Sequence, residues 1–203
     1  MLVSRIALAL CLLPIATLSA KEIAAPAKNM PAIFNGTDFS GWVVPQNNIH
    51  WTTEDGMIVT RNDPKKKGSI LWTQKKYSDF DIDLEFRMHA GGVVDSGVFL
   101  REEKFQIQIG ISGSKKRDMT ASVYIPGKGY PKEAKGVAEL LKPTDWNRLQ
   151  ATVRGATVNI WLNGKHVSTL THPKPIKTGP IGLQLHAGKV MRTDFRNIKA
   201  AER

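Results

Sequence analysis

The side chains best suited to chemistry lie between Asp81 and Gly110, in the run DIDLEFRMHAGGVVDSGVFLREEKFQIQIG. Glu85, Arg87, Arg101, Gln106 and Gln108 supply a carboxylate, guanidiniums and amides, the fork and amide groups that bind sugar hydroxyls or carboxylates. Their spacing is that of strands. Ile82, Leu84, Phe86 and Met88 take one parity and Asp81, Asp83, Glu85 and Arg87 the other. Val98 and Leu100 oppose Gly97, Phe99 and Arg101, and Phe105, Ile107 and Ile109 oppose Gln106 and Gln108. Alternation with period two marks half-buried strands. Further on, Ile181-Gly182-Leu183-Gln184-Leu185-His186 alternates again and puts Gln184 and His186 on the polar parity. If these strands are neighbours, Glu85, Arg87, Arg101, Gln108 and His186 converge on one sheet face. A solvated outer face would carry the same parity, but such faces usually offer Lys, Thr and Ser rather than Arg, Glu and Gln.

Other chemistries lack their residues. The chain has one cysteine, so no cysteine pair can hold zinc, and there is no HExxH. No glycine run forms a phosphate loop, and no GxSxG elbow is present; Ser96 sits in a turn with no histidine near it in sequence. The residues require no cofactor and leave room for a divalent metal.

The elements that position these groups are short. Trp51 to Arg61 reads as a hairpin turning at Asp55-Gly56, a type I′ dipeptide. Ser69 to Thr73 is a short strand, and Met119 to Ile125 is a candidate strand. Gly136 to Leu141 fits either a helical turn or a strand. Arg148 to Leu170 is a three-strand meander turning at Gly155 and at Asn163-Gly164, and Val190 to Ile198 is a last strand. Phe34, Phe39 and Trp42 are core anchors among turn residues. Pro126 to Lys135, with Gly127, Gly129 and Pro131, is a long loop. Many short strands without a long amphipathic helix predict an all-β sandwich or jelly roll.

The 203 residues suit one domain, expected over 31–203. Residues 1–20, with Arg5 ahead of an apolar run of about a dozen residues and then Ser19 and Ala20, read as a secretory signal too short for a membrane span. Residues 21–30 read as a spacer. The expectation is an exported protein, periplasmic or extracellular, with no stable membrane anchor after cleavage. Cys11 lies inside the signal, so the mature core must hold without disulfides. The net charge is +11. Its lysines fall in loops, at Lys65 to Lys67, Lys115 to Arg117 and Lys128 to Lys135, without interleaved aromatic platforms. No nucleic-acid partner is therefore expected. The charge serves solubility or attraction to an anionic surface or polymer. The oligomeric state is left open.

A resemblance runs along the whole mature chain. Phe34-Asn35-Gly36-Thr37-Asp38-Phe39-Ser40-Gly41-Trp42 resembles the opening motif of the 3-keto-disaccharide hydrolase domain family. The match continues through Trp51, Glu54-Asp55-Gly56, Tyr77, Asp79-Phe80, Glu85-Phe86-Arg87 and Ser96-Gly97-Val98-Phe99-Leu100-Arg101. It ends with Trp146-Asn147, Trp161-Leu162-Asn163-Gly164, Gly182-Leu183-Gln184-Leu185-His186 and Phe195-Arg196-Asn197-Ile198. The resemblance implies a concanavalin A-like jelly-roll sandwich of two antiparallel sheets, with a sugar-related substrate on the concave sheet. The chain departs from the family where Gln106 replaces a glutamate, Ile111 stands in place of an aspartate, and Asp95 stands where asparagine is usual.

Three functions follow as expectations. The first is a hydrolase of 3-keto-glycosides working by C2 proton abstraction, elimination and hydration, which needs one base and one group for the enolate oxygen. Glu85 or His186 would be the base, and Arg101 or Arg87 would hold the enolate. Gln106, Gln108 and Gln184 would bind hydroxyls, and Phe99 would stack on the sugar. The second is a non-catalytic carbohydrate-binding module on the same fold, favoured by the missing carboxylates. A structural or matrix-binding role using the positive charge is a third.

Overall fold

The computed structural model describes residues 23–203. The expected signal over 1–20 lies outside the described residues. Part of the expected spacer packs on the domain, since Pro26 and Met30 are buried. The strands follow in chain order: β1 (Trp42–Val43), β2 (Trp51–Glu54), β3 (Met57–Arg61), β4 (Ser69–Tyr77), β5 (Phe80–Met88), β6 (Asp95–Leu100), β7 (Gln106–Gly110) and β8 (Val123–Tyr124). A single helical turn, α1 (Val137–Leu140), is followed by β9 (Asn147–Arg154), β10 (Thr157–Leu162), β11 (Lys165–Thr171), β12 (Gly179–Leu185) and β13 (Arg192–Glu202). The β2–β3 hairpin turns where expected, with Asp55 and Gly56 both at positive φ, and Asn163 and Gly164 do the same between β10 and β11. The candidate strand at Met119 to Ile125 shrinks to the two residues of β8, and Gly136 to Leu141 resolves into α1.

The strands form two antiparallel sheets, a six-stranded one in the order β1-β4-β12-β6-β7-β8 and a seven-stranded one in the order β11-β10-β9-β5-β13-β3-β2. This is the all-β jelly-roll sandwich that the alternation predicts. Leu71, Val98, Leu100, Ile107, Ile109, Ile181, Leu183 and Leu185 of the first sheet share one buried core with Ile82, Leu84, Phe86, Leu149, Ala151, Val153, Ile160 and Phe195 of the second. Each of these side chains larger than alanine contributes roughly 1.5–3 kcal/mol when fully buried.

One step of the topology redirects the site. β5 belongs to the seven-stranded sheet, between β9 and β13, whereas β6 and β7 belong to the six-stranded sheet. The Gly91-Gly92 segment is thus a crossover between sheets, not a turn between neighbours. The polar parities of β5 and of β6–β7 therefore face away from each other, on opposite outer surfaces of the sandwich.

Candidate carbohydrate-binding face

On the six-stranded sheet the polar parities of β4, β12, β6, β7 and β8 fall into cross-strand rows. Trp72 pairs with Gly182, Gly182 with Phe99, Phe99 with Gln106, and Gln106 with Tyr124. The next row runs Ile70, Gln184, Gly97, Gln108. Asp95 pairs with Gly110 in the row beyond, and His186 follows β12 at that end. Two glycines make room for the large groups. A Cβ at Gly182 would lie 2.5 Å from the Trp72 ring, and one at Gly97 would lie 2.3 Å from Gln106 Nε2. Both distances are impossible for real side chains, so the Trp72 ring and the Gln106 amide lie flat across the backbone where a glycine leaves space.

The amides form one network. Gln106 Nε2 donates to Gln184 Oε1 (2.8 Å), to Gln108 Oε1 (3.2 Å) and to the Ser96 carbonyl (3.2 Å). Gln108 Nε2 donates to Asp95 Oδ1 (2.8 Å), and the Tyr130 hydroxyl donates to Gln108 Oε1 (3.1 Å). The Gly113 amide donates to Asp95 Oδ2 (3.0 Å). Buried amides of this kind need partners, and this network orients them without exhausting them. Among the described residues the Gln184 amide nitrogen and the Gln106 side-chain oxygen have no hydrogen-bond partner, so the face presents one donor and one acceptor. Burial pushes the Tyr130 phenol up to about 12, against an opposing hydrogen bond from Ser112, so it stays a neutral donor.

His186 stands at the open end of the network. Its Nδ1 donates to the Ala187 carbonyl (2.7 Å), which leaves the Nε2 lone pair free and 4.0 Å from Asp95 Oδ2. Asp95 is almost fully buried, whereas the His186 side chain is 43% exposed. The sealed carboxylate thus lies beside the free nitrogen of a solvent-accessible imidazole. Two adjoining hollows cover this face, of about 440 Å³ over Asp95, Gln106, Gln108, Tyr124 and Tyr130 and about 550 Å³ over Pro45, Gly68 and Trp72. They share Ile70, Glu103, Gln184 and His186 and form one groove.

The expected convergence on one face is corrected by the topology. Gln106, Gln108, Gln184, Phe99 and His186 come together. Glu85 and Arg87 do not: they lie on the outer face of the seven-stranded sheet. There Glu85 accepts from Arg196 Nε (2.6 Å) and Asn197 Nδ2 (2.9 Å), and Arg87 pairs with Asp194 (2.8 Å). The Trp146 ring lies under both arginines, 3.9 Å from Arg196 and 4.6 Å from Arg87.

Arg101 does not reach the groove either. Its φ of +70° breaks the strand alternation, and its buried guanidinium donates to the carbonyls of Ser78, Gly155 and Ile176 and to Asp79. Burial lowers its pKa and the Asp79 carboxylate opposes that. Arg101 is a clamp joining three segments, with no free hydrogen-bonding edge for an enolate. Phe99 is only 3% exposed, so the ring available for stacking is the half-buried Trp72, 5.5 Å away.

Trp72, Tyr124, Tyr130 and Glu103 were not singled out from the sequence. Trp72 and Tyr124 carried a signal, the parity opposite Leu71 and Val123. Tyr130 sits in an irregular loop and carried none. Among the described residues no group of three or more His, Cys, Asp or Glu side chains is placed to hold a metal ion.

The fold and this face define a two-sheet jelly-roll domain with a polar groove on one sheet. The 3-keto-alpha-glucoside-1,2-lyase-like domain family matches residues 30–201, and the chain belongs to that family. Its sandwich is similar to two structures from Parabacteroides distasonis described as candidate glycosyl hydrolases. One has a TM-score of 0.63 at 20% identity over 87% of this chain and 100% of the other. The second has 0.62 at 21% over 92% and 95%. It is also similar to the carbohydrate-binding module CBM66 from Bacillus subtilis, with a TM-score of 0.54 at 19% identity over 84% and 99%. At these identities the likeness is one of fold. No curated protein matches the chain.

Proposed function

We propose that the groove of the six-stranded sheet binds a 3-keto-glycoside and cleaves it by elimination followed by hydration, with His186 as the base. The observation that carries this reading is the free Nε2 of His186 in the groove, with the buried Asp95 carboxylate 4.0 Å from that same nitrogen. A ketone at C3 acidifies the C2 proton. His186 Nε2 takes that proton, and the C–H electron pair becomes the enolate. Asp95 stabilises the imidazolium that results. The enolate pair then forms the C1–C2 double bond as the C1–O bond breaks, and the imidazolium returns its proton to the leaving oxygen. Water added across that bond gives the free 3-keto sugar. The donor left free in the groove to stabilise the developing charge is the Gln184 amide, since the Tyr130 hydroxyl already donates to Gln108. Such a route needs no pair of carboxylates flanking the bond, and family membership supports the lyase-type step.

Incubation with 3-keto-trehalose or 3-keto-lactose in deuterated water tests it. The expected result is C2 deuterium exchange and release of the second sugar, both reduced about 10²–10⁴-fold in His186→Gln. Wild-type protein that neither exchanges nor cleaves overturns the proposal. A second reading, a binding module, is favoured by the amides of Gln106, Gln108 and Gln184 standing together without a carboxylate between them. Saturable sugar binding without exchange would select it. We also propose export, supported by the Arg5 start and apolar run of residues 1–20. A mature N-terminus near Ala20 or Lys21 is expected, and an intact Met1 on cytoplasmic protein refutes it.

A further inference from the structure

A cavity of about 720 Å³, larger than either hollow of the groove, lies at the end of the sandwich where β5 crosses to β6. It shares no lining residue with the groove. Three segments enclose it: the crossover from Met88 to Val94, the loop after β7 around Met119, and the stretch around α1. Its walls are largely apolar. Met88, Val94 and Met119 are buried core residues, and Val137 and Leu141 pack partly buried against that core. The one turn of α1 buries none of its own side chains, so this end of the core is roofed without being filled.

The roof is tied down. The Ala134 amide donates to Ser122 Oγ (2.9 Å), the Lys135 amide to the Val167 carbonyl (3.0 Å), and Asn163 Nδ2 to the Leu140 carbonyl (2.8 Å). Below the crossover, the Ile111 amide donates to the Val94 carbonyl (2.7 Å). A preformed hollow with apolar walls and a few placed polar groups is the usual form of a small-molecule site, because little is spent on ordering it.

Most charged groups of the wall are already satisfied. Glu133 accepts from Arg117 through both oxygens, and Asp118 accepts from Thr120 through both. Glu139 is exposed, where water screens it. His89 differs. Its Nε2 donates to Asp194 Oδ2 (2.6 Å), a fully buried carboxylate that Arg87 and Arg192 also hold. An ionised carboxylate can only accept, so in the neutral ring the proton sits on Nε2 and Nδ1 carries the lone pair. Among the described residues Nδ1 has no hydrogen-bond partner, and it is not buried. The wall thus combines one oriented acceptor with two methionine side chains, whose sulfurs make favourable contacts with aromatic rings.

We propose that this cavity is a ligand site separate from the groove, and that its ligand is a neutral phenol. The aromatic ring lies among Met88, Val94, Met119 and Val137, and the hydroxyl donates to His89 Nδ1. Other head groups fit the wall less well. A carboxylate or phosphate would meet Asp118 and Glu133 with the Arg117 guanidinium already paired. An ammonium would give up its hydration for carboxylates that already have their donors.

Calorimetry on the full domain with para-propylphenol, its methyl ether, para-propylbenzoate and para-propylbenzylamine separates these head groups. The phenol is expected to bind about fivefold more tightly than the ether, the worth of one neutral hydrogen bond. Carbon-labelled methionine methyl signals locate the ligand. Met88 and Met119 should shift, and Met57, outside the cavity, should not. His89→Phe should bring the phenol down to the affinity of the ether. Val137→Trp, which fills the hollow, should weaken both by at least about tenfold.

Equal affinity of phenol and ether in the wild type overturns the proposal, and so does tighter binding of the benzoate or the benzylamine. Unmoved Met88 and Met119 signals, or binding that ignores Val137→Trp, exclude the cavity as the site. If His89→Phe does not fold, the wild-type comparison of phenol with ether still decides whether the hydroxyl is recognised.

Discussion

Removing the Arg101 guanidinium should damage stability and leave the groove chemistry untouched. Its side chain is 1% exposed. It donates to Ser78 O (2.7 Å), Gly155 O (2.7 Å), Ile176 O (3.1 Å) and Asp79 Oδ1 (3.2 Å), so one side chain joins the β4–β5, β9–β10 and β11–β12 connections. Arg101→Ala orphans three carbonyls at about 1–3 kcal/mol each when buried, discounted where water can enter. The net expectation is about 4 kcal/mol, near the top of the range for single substitutions. For a domain of this size that lowers the melting temperature by about 10 °C.

The positive φ of +70° supplies an internal control. Arg101→Gly relieves the left-handed backbone and should be about 1 kcal/mol more stable than Arg101→Ala despite lacking the same contacts. Urea unfolding followed by tryptophan fluorescence measures both. An Arg101→Ala protein within 1 kcal/mol of wild type that has lost sugar binding would refute the argument. It would return Arg101 to the site that its strand parity suggested.

Asp194 is fully buried with Arg192, Arg87 and His89 around it. Burial raises its pKa, but the hydrogen bonds from those three groups outweigh it and the net shift is downward. A carboxylate depressed in the folded state stabilises above its unfolded pKa of about 3.9, and that stability is lost as pH falls through the lower folded value. Asp194→Asn should cost about 3 kcal/mol at neutral pH. It should also flatten the loss of stability below about pH 4; an unchanged acid limb in urea titrations would count against the assignment. On the other sheet, Gly182→Ala should push the Trp72 ring off the floor, since the new methyl would lie 2.5 Å from it. Sugar affinity should fall about tenfold, as for a lost stacking ring, with stability changed by less than about 1 kcal/mol because the ring is on the outer face. Unaltered affinity by calorimetry would remove Trp72 from the site.

How far the sequence reaches is visible strand by strand. Alternation in Phe80–Met88, Asp95–Leu100, Gln106–Gly110 and Gly179–Leu185 sorted core from outer side chains correctly, because the pleat is a local property of two successive residues. The turn dipeptides Asp55-Gly56 and Asn163-Gly164 placed their hairpins for an equally local reason, the tolerance of positive φ. Gln106, Gln108, Gln184 and His186 could therefore be placed on the parity opposite the core before any pairing was known, though not on a common sheet. What local pattern cannot carry is sheet membership. Glu85 and Gln108 have the same parity relation to the core, yet β5 crosses to the opposite sheet. Which of two sheets a strand joins depends on burying both inner faces at once, through contacts far apart in sequence. Arg101 escaped for another reason: its left-handed backbone ends the alternation and turns the side chain to the sandwich edge. Tyr130 became visible only when loops distant in sequence were brought around one groove, because no periodicity records where an irregular segment comes to rest.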